Sequence, residues 1–275
     1  MKPLSAVSAA WASRRSNKHF TPARSRTVPL ETPVLPVAER VASLNLRYQG
    51  HGAVAVLSHA LSDPMIGRIA LVSSFGAESV VLLHLLSIMD RSVPVLLIDT
   101  EMLFAETLDY QRQLGQRFGL SDLRLIRARR EELFARDPDN LLHHFDPDAC
   151  CNLRKVEPLE RGLKGFDGWI TGRKRYQGGQ RQALHLFEAD GDSRIKINPL
   201  AHWRSEDLQE YIANNNLPRH PLVAKGYGSI GCRPCTRKTP LGGDARSGRW
   251  FGQDKTECGI HFTKGKATPQ KALAS

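Results

Sequence analysis

The stretch that most constrains the fold of this 275-residue chain is Ile69-Ala70-Leu71-Val72 together with the loop and helical pattern directly behind it. Four apolar residues in a row suit a buried strand or a piece of helix, and the turn residues after them favour strand. Ser73-Ser74-Phe75-Gly76-Ala77-Glu78-Ser79 comes next, and then a helical pattern through Val80, Leu83, His84 and Ser87 to Asp90. A strand, a loop of small hydroxyls and glycine, and a helix N-terminus together present free backbone N–H groups to an anion. The unit predicts a phosphate site with Ser73, Ser74 and Gly76 as its contacts.

The alternation continues, as an α/β sheet requires. Residues 93–98 read as a second strand ending in Asp99-Thr100, at the carboxyl end where open sheets place ligands. Residues 104–118 read as a helix closed by Gly119, and Leu123–Ile126 as a third strand. Asp146-Pro147-Asp148 predicts a turn, and 151–163 a helix interrupted or bent at Pro158. Gly168–Ile170 is a short fourth strand feeding the polar loop 171–177. Residues 195–198, stopped by Pro199, suit an edge strand, and a helix follows from Ser205 to Asn214 or Asn215. From 218 to 252 the chain is dense in Gly, Pro and Arg, a loop held by something other than a core. There is no internal repeat, and no apolar run spans a membrane.

A net charge of +11 suggests nucleic-acid binding until it is located. Residues 1–30 hold six Lys and Arg and no acid, and 262–275 hold three and no acid, so 30 of the 39 basic residues face all 28 acids in between. The folded part is near neutral, which argues against a nucleic-acid partner. The organisation expected is a basic, disordered extension over 1–36, an α/β domain over 37–252 with an iron–sulfur site, and a mobile C-terminal tail over 253–275. An acid-free start bearing Arg and Ser also resembles a transit peptide. Five cysteines, an odd number, suit a reducing compartment, with cytoplasm as the expectation. A homo-oligomer is compatible with all of this.

Four of the cysteines fall into two pairs, Cys150-Cys151 and Cys232-Arg233-Pro234-Cys235. A C-x-x-C turn converges two thiolates, and a distant pair completes four ligands, for zinc or a [4Fe–4S] cluster. Adjacent ligands favour a cluster, whose separate irons each take one thiolate, and leave zinc open. Lys155, four residues after Cys151, shares that ligand's face on a helix and would offset a cluster's negative charge or reach an anionic substrate. Arg173, Arg246 and Arg249 lie beside glycines and offer guanidinium forks for phosphate or sulfate. Cys258, alone in Glu257-Cys258-Gly259-Ile260-His261, reads as a nucleophile whose thiolate neighbouring cations or His261 would favour and Glu257 oppose.

In this order, Ser74–Ser79, 99–107, Cys150-Cys151 with Arg154-Lys155, Thr171-Gly172-Arg173, the C-x-x-C, Arg246-Ser247-Gly248-Arg249-Trp250 and 257–261 resemble the assimilatory sulfonucleotide reductases of the phosphoadenylyl-sulfate (PAPS) reductase family. The four cysteines make the resemblance specific to the bacterial adenosine 5'-phosphosulfate (APS) reductases. It covers roughly 40–262, with Ser79 where the family often has Asp and Glu101 where it often has Gly. It implies an adenine nucleotide alpha-hydrolase-like (PP-loop) fold, α/β with a largely parallel sheet flanked by helices, plus a C-terminal tail carrying the nucleophile. It further implies a [4Fe–4S] cluster on Cys150, Cys151, Cys232 and Cys235, attack of Cys258 on the sulfur of APS with loss of AMP, and release of sulfite by thioredoxin or glutaredoxin. Ser73, Ser74, Gly76, Lys155, Arg173, Arg246, Arg249 and His261 would bind the substrate. No thioredoxin-like domain is expected after His261, so the dithiol would come from a separate protein. The competing expectations are a PAPS reductase, an ATP-using PP-loop enzyme and a zinc-stapled nucleic-acid module.

Overall fold

Six short runs pair into one sheet: Ile69–Val72 (β1), Val95–Ile98 (β2), Leu123–Ile126 (β3), Gly168–Ile170 (β4), Phe187–Asp190 (β5) and Arg194–Ile197 (β6), the first three rich in Leu, Ile and Val. The strand order is β3-β2-β1-β4-β6-β5, with every pairing parallel except that of β5 with β6. This computed structural model describes residues 35–261 apart from 241, 253, 254 and 256. The extension expected over 1–36, apart from Leu35 and Pro36, and the end of the tail, 262–275, lie outside the described residues.

The continuous apolar character of β1 and β2 has a direct cause, because both faces of the sheet are covered. Leu71, Val95, Leu97, Ile170, Ile195 and Ile197 point into the larger core, while Ala70, Leu96, Ile98 and Trp169 point into the smaller one. The larger core is filled by Val37–Tyr48 (α1), Ala53–Ala60 (α2), Ser79–Met89 (α3), Ala105–Phe118 (α4) and a late helix, Ser205–Asn214. The opposite face is covered by Leu159 and Leu163, near the end of a broken helical run. That run comprises Arg130–Arg136 (α5), Leu142–Phe145 (α6), Pro147–Cys151 (α7) and Glu157–Gly162 (α8), which makes Ser205–Asn214 α9. Among the described residues no helix is long and apolar enough to cross a membrane.

Two local expectations are corrected and a third is made specific. Residues 146–148 are a helix start: Asp146 accepts from the Asp148 and Ala149 N–H groups at 3.1 and 2.8 Å, and Pro147 occupies the first turn. The interruption expected in the helix over 151–163 is a π turn, Asn152–Val156, just ahead of Pro158. Proline offers no N–H to the carbonyl four residues back, and a wider turn accommodates the gap. β6 is an inner strand, because Phe187–Asp190 pairs outside it; β5 went unforeseen because Phe187 is its single large apolar residue. The helices α1 and α2 were likewise not anticipated.

Glu101 adopts φ +60°, the left-handed region. Its departure from glycine therefore places a side chain where backbone sterics disfavour one.

Candidate active site

In the sheet order, the chain runs from β1 outward through β2 to β3 and then returns to β4 on the other side of β1. Such a reversal opens a crevice at the carboxyl ends of the two central strands. The loops leaving β1 and β4 line a cavity of about 480 Å³ there. Ser73, Ser74 and Gly76 line it from the first loop, Arg173 from the second, and Lys155 from the π turn. Arg246, Arg249, Cys258 and His261 complete the wall from the C-terminal segment. The residues expected as phosphate loop, cations and nucleophile thus share one cavity.

The first loop is wound tightly over the start of α3. Phe75 is fully buried at φ +49°, its N–H donates to Ser73 Oγ at 3.2 Å, and the Gly76 N–H donates to Ser79 Oγ at 3.0 Å. Ser79 thus closes the loop onto its own helix. A Cβ on Gly76 would lie 3.2 Å from the Ile230 carbonyl oxygen, so any larger residue there would push that carbonyl back by a few tenths of an ångström. Backbone strain of this kind persists where surrounding structure fixes it.

The cations are held by partners rather than free. Arg173 is buried, ion-paired with Glu188, and donates to Asn198 Oδ1 at 3.2 Å. Arg246 reaches Glu257 Oε1 at 3.3 Å, and burial with Arg181 nearby pushes its pKa down to about 10. Arg249 lies over the Trp250 ring at 4.3 Å and packs directly on Gly231. Two buried cations were missed: Lys174, paired with Glu78 at 2.6 Å, and Arg181, whose fork grips Glu257, Nη2 to Oε2 at 2.9 Å. Lys174 was visible in the polar loop after β4, whereas nothing local marks Arg181.

Cys258 is half-buried beside Cys151, at the start of the turn Gly259–His261. A hydrogen bond from the Cys151 thiol holds the Cys258 thiol well below its ordinary pKa; burial opposes this, and Lys155, the Ile260 N–H and Arg249 add to it. The opposing charge expected from Glu257 is neutralised by Arg181 and Arg246. His261 differs from expectation. Its ring stacks on Trp169, with centroids 6.1 Å apart and planes at 12°, and burial among Arg173, Arg181, Lys196 and Arg246 drives its pKa well below the ordinary value. The imidazole is neutral, so it adds no positive charge to favour the thiolate.

The paired cysteines also converge. Cys150 and Cys151 end α7, Cys232 and Cys235 flank a 3-10 turn, and all four line a small cavity with Lys155. The second pair is tied to the loop after β2 by the Arg233 N–H on the Met102 carbonyl oxygen at 2.8 Å, and Cys232 Sγ lies 3.2 Å from Thr100 Oγ1. Thr100 therefore backs the cysteines rather than the larger cavity, and Asp99 pairs with Arg127 at 2.8 Å. Burial and the neighbouring Cys232 push the Cys150 thiol up to about 11. Lys155 keeps its charge against the effect of burial because Cys232, Cys258 and Cys151 surround it. Among the described residues, no group of three or more His, Cys, Asp or Glu side chains is arranged to hold a single metal ion.

Comparison with known proteins agrees with this geometry. Residues 68–238 match the phosphoadenosine phosphosulfate reductase domain model. An adenosine 5'-phosphosulfate reductase of Mesorhizobium japonicum is 47% identical over 82% of this chain and 89% of its own. The protein of that name from Chelativorans sp. is 52% identical over 71% of this chain and 80% of its own. Among solved structures, PAPS reductase from Candida auris superposes with TM-score 0.62 at 28% identity, over 72% of this chain and 97% of that one. FMN adenylyltransferase from Candida glabrata, at TM-score 0.51 and 17% identity over 75% of this chain and 77% of its own, shares the fold alone. With the loop after β1, the cations and Cys258 gathered at one crevice, the chain belongs to the phosphoadenosine phosphosulfate reductase family.

Proposed function

We propose that the protein is an adenylyl-sulfate reductase, converting APS to sulfite and AMP with electrons from a thioredoxin- or glutaredoxin-type dithiol, in assimilatory sulfate reduction. The observation that carries this reading is Cys258 in one cavity with Lys155, Arg173, Arg246 and Arg249. The nucleotide's phosphate would rest on the amides at the start of α3, and the arginine forks would take the phosphate and sulfate oxygens. Cys258 thiolate attacks the sulfur, the bond to the phosphate oxygen breaks, and AMP leaves with the electron pair. The cations offset the negative charge that moves onto the leaving phosphate. A dithiol thiolate then attacks Cys258 Sγ, sulfite departs with the bonding electrons, and the second thiol of the donor resolves the mixed disulfide to return Cys258.

Cys150, Cys151, Cys232 and Cys235 would hold a [4Fe–4S] cluster. Four thiols around a shared cavity, two of them on adjacent residues, fit separate irons better than a tetrahedral zinc. Such a cluster would add negative charge that holds Lys155 protonated beside the substrate. With Cys151 as a ligand its proton is lost, and Lys155, Arg249 and the Ile260 N–H remain to favour the Cys258 thiolate. Relatives named for APS support that nucleotide over PAPS.

The test is anaerobic mixing with APS or PAPS, followed by mass analysis and an iron count. One sulfonate on Cys258, from APS in preference to PAPS, with four irons per chain, is expected. Cys258→Ser should keep iron and nucleotide binding and lose sulfite production; turnover in that variant removes the nucleophile assignment.

A further inference from the structure

We infer that Arg181 is a positioning residue that latches the nucleophile-bearing segment over the cavity by gripping Glu257, the neighbour of Cys258. The inference rests on the proposed role of Cys258. Arg181 and Glu257 are 76 positions apart, and each is only 8% exposed. Their pairing is bidentate, Nε to Oε1 and Nη2 to Oε2, the geometry in which a guanidinium fixes orientation as well as distance. On the core side Arg181 is itself immobilised. It sits in the turn Gly179–Ala183, and its third nitrogen donates to Gln177 Oε1. Gln177 in turn donates to Glu78 Oε2 at 3.1 Å, the carboxylate that also takes Lys174 and Tyr176. One carboxylate of the C-terminal segment is thereby tied to a fixed network at the foot of α3.

Arg246 also touches Glu257, but by a single contact at 3.3 Å and from the C-terminal part of the chain. An entering sulfonucleotide would compete for Arg246, which lines the cavity, and leave the two-point hold of Arg181 in place. The latch thus keeps Cys258 aimed while substrate binds. After transfer, the sulfonate on Cys258 brings a second anion beside Glu257 to the same cations. The hold weakens at the step in which the segment must present Cys258 to a dithiol.

The test labels the iron-loaded protein with iodoacetamide, without nucleotide and under anaerobic conditions, and reads the peptide containing Cys258 by mass spectrometry. Arg181→Gln and Glu257→Gln should each label about tenfold faster than wild type, a factor corresponding to the loss of about 1.4 kcal/mol of closure. Arg181→Lys should fall between, since an ammonium keeps the charge but not the fork. In Arg181→Gln, kcat for sulfite formation should fall by a similar factor, with KM for APS within about threefold because Arg173, Arg246 and Arg249 remain. Wild-type labelling rates in both variants overturn the latch. So does a raised KM with unchanged labelling, which would make Arg181 a substrate contact. Because labelling needs no APS, a wild-type protein that makes no sulfite would refute the proposed activity and leave the latch to be decided by labelling alone.

Discussion

Replacing Gly231 with alanine tests whether the cavity is as closely fitted as it looks. A Cβ there would lie 2.6 Å from Arg249 Cζ and 2.9 Å from Nη1, where ordinary contact begins at 3.4 Å. Arg249 Nη2 would be nearer still, so the guanidinium must withdraw by roughly 1.1 Å. It is not free to slide, since Trp250 lies 4.3 Å from it and its Nε donates to the Cys235 carbonyl oxygen at 3.3 Å. A displaced fork loses a charge-assisted hydrogen bond to the substrate anion, about 1.5–3 kcal/mol, or roughly 10- to 150-fold in affinity. The obstacle is the far end of a flexible side chain, so the fold should survive with Tm within about 2 °C of wild type. Gly50→Ala is the control, because nothing lies within 4 Å of its added Cβ. The assay is APS-dependent sulfite formation with AMP binding alongside. A KM for APS within about twofold of wild type in Gly231→Ala, with Tm intact, would refute the assignment of Arg249 to the substrate.

Three further outcomes come from buried groups and backbone strain. Arg154 is 1% exposed and bonds Asp137 Oδ2 at 2.7 and 3.0 Å, the Thr100 carbonyl oxygen at 3.0 Å and Asn140 Oδ1 at 2.7 Å. Arg154→Met leaves Asp137 buried and unpaired, at about 3–5 kcal/mol, and should lower Tm by roughly 10 °C and reduce iron content on reconstitution. Glu101→Gly relieves a left-handed residue, and after glycine's greater unfolded-state freedom is set against this, it should stabilise by about 0.5–1 kcal/mol, read as a higher urea midpoint; a lower midpoint would contradict the strain. His220 Nδ1 accepts from the Leu222 N–H at 3.1 Å, so Nε2–H donates to Thr107 Oγ1 at 3.0 Å, and burial pushes the ring's pKa down to about 4. The unfolded ring takes its proton near 6.5, so this stability is complete above that pH and is lost as pH falls towards 4. His220→Asn, which keeps an acceptor near Nδ1, should lose less stability than wild type between pH 7 and 5, and equal losses would remove His220 from the acid response.

What could be read from the sequence divides by the distance over which a residue's reason operates. The loop Ser73–Gly76, the C-x-x-C and the strands β1 to β4 were legible because their requirements are local: free amides after a strand, two thiols across a turn, both faces of a strand covered. The convergence of Ser73, Lys155, Arg173, Arg249 and Cys258 was legible only through the ordered motifs, since no single segment states it. β5 was invisible because its residues belong to the sheet only by pairing with β6 and by giving Glu188 to Arg173. The same holds for Arg181, an ordinary arginine beside two glycines until Glu257 arrives 76 residues later. Gly231 is the limiting case, a residue whose role lies in the atom it lacks. Beside Cys232 it reads as slack before a metal ligand, yet the space where its Cβ would be is where Arg249 lies. A glycine required by another side chain leaves no local trace, and only the folded chain distinguishes it from a glycine that merely permits a turn.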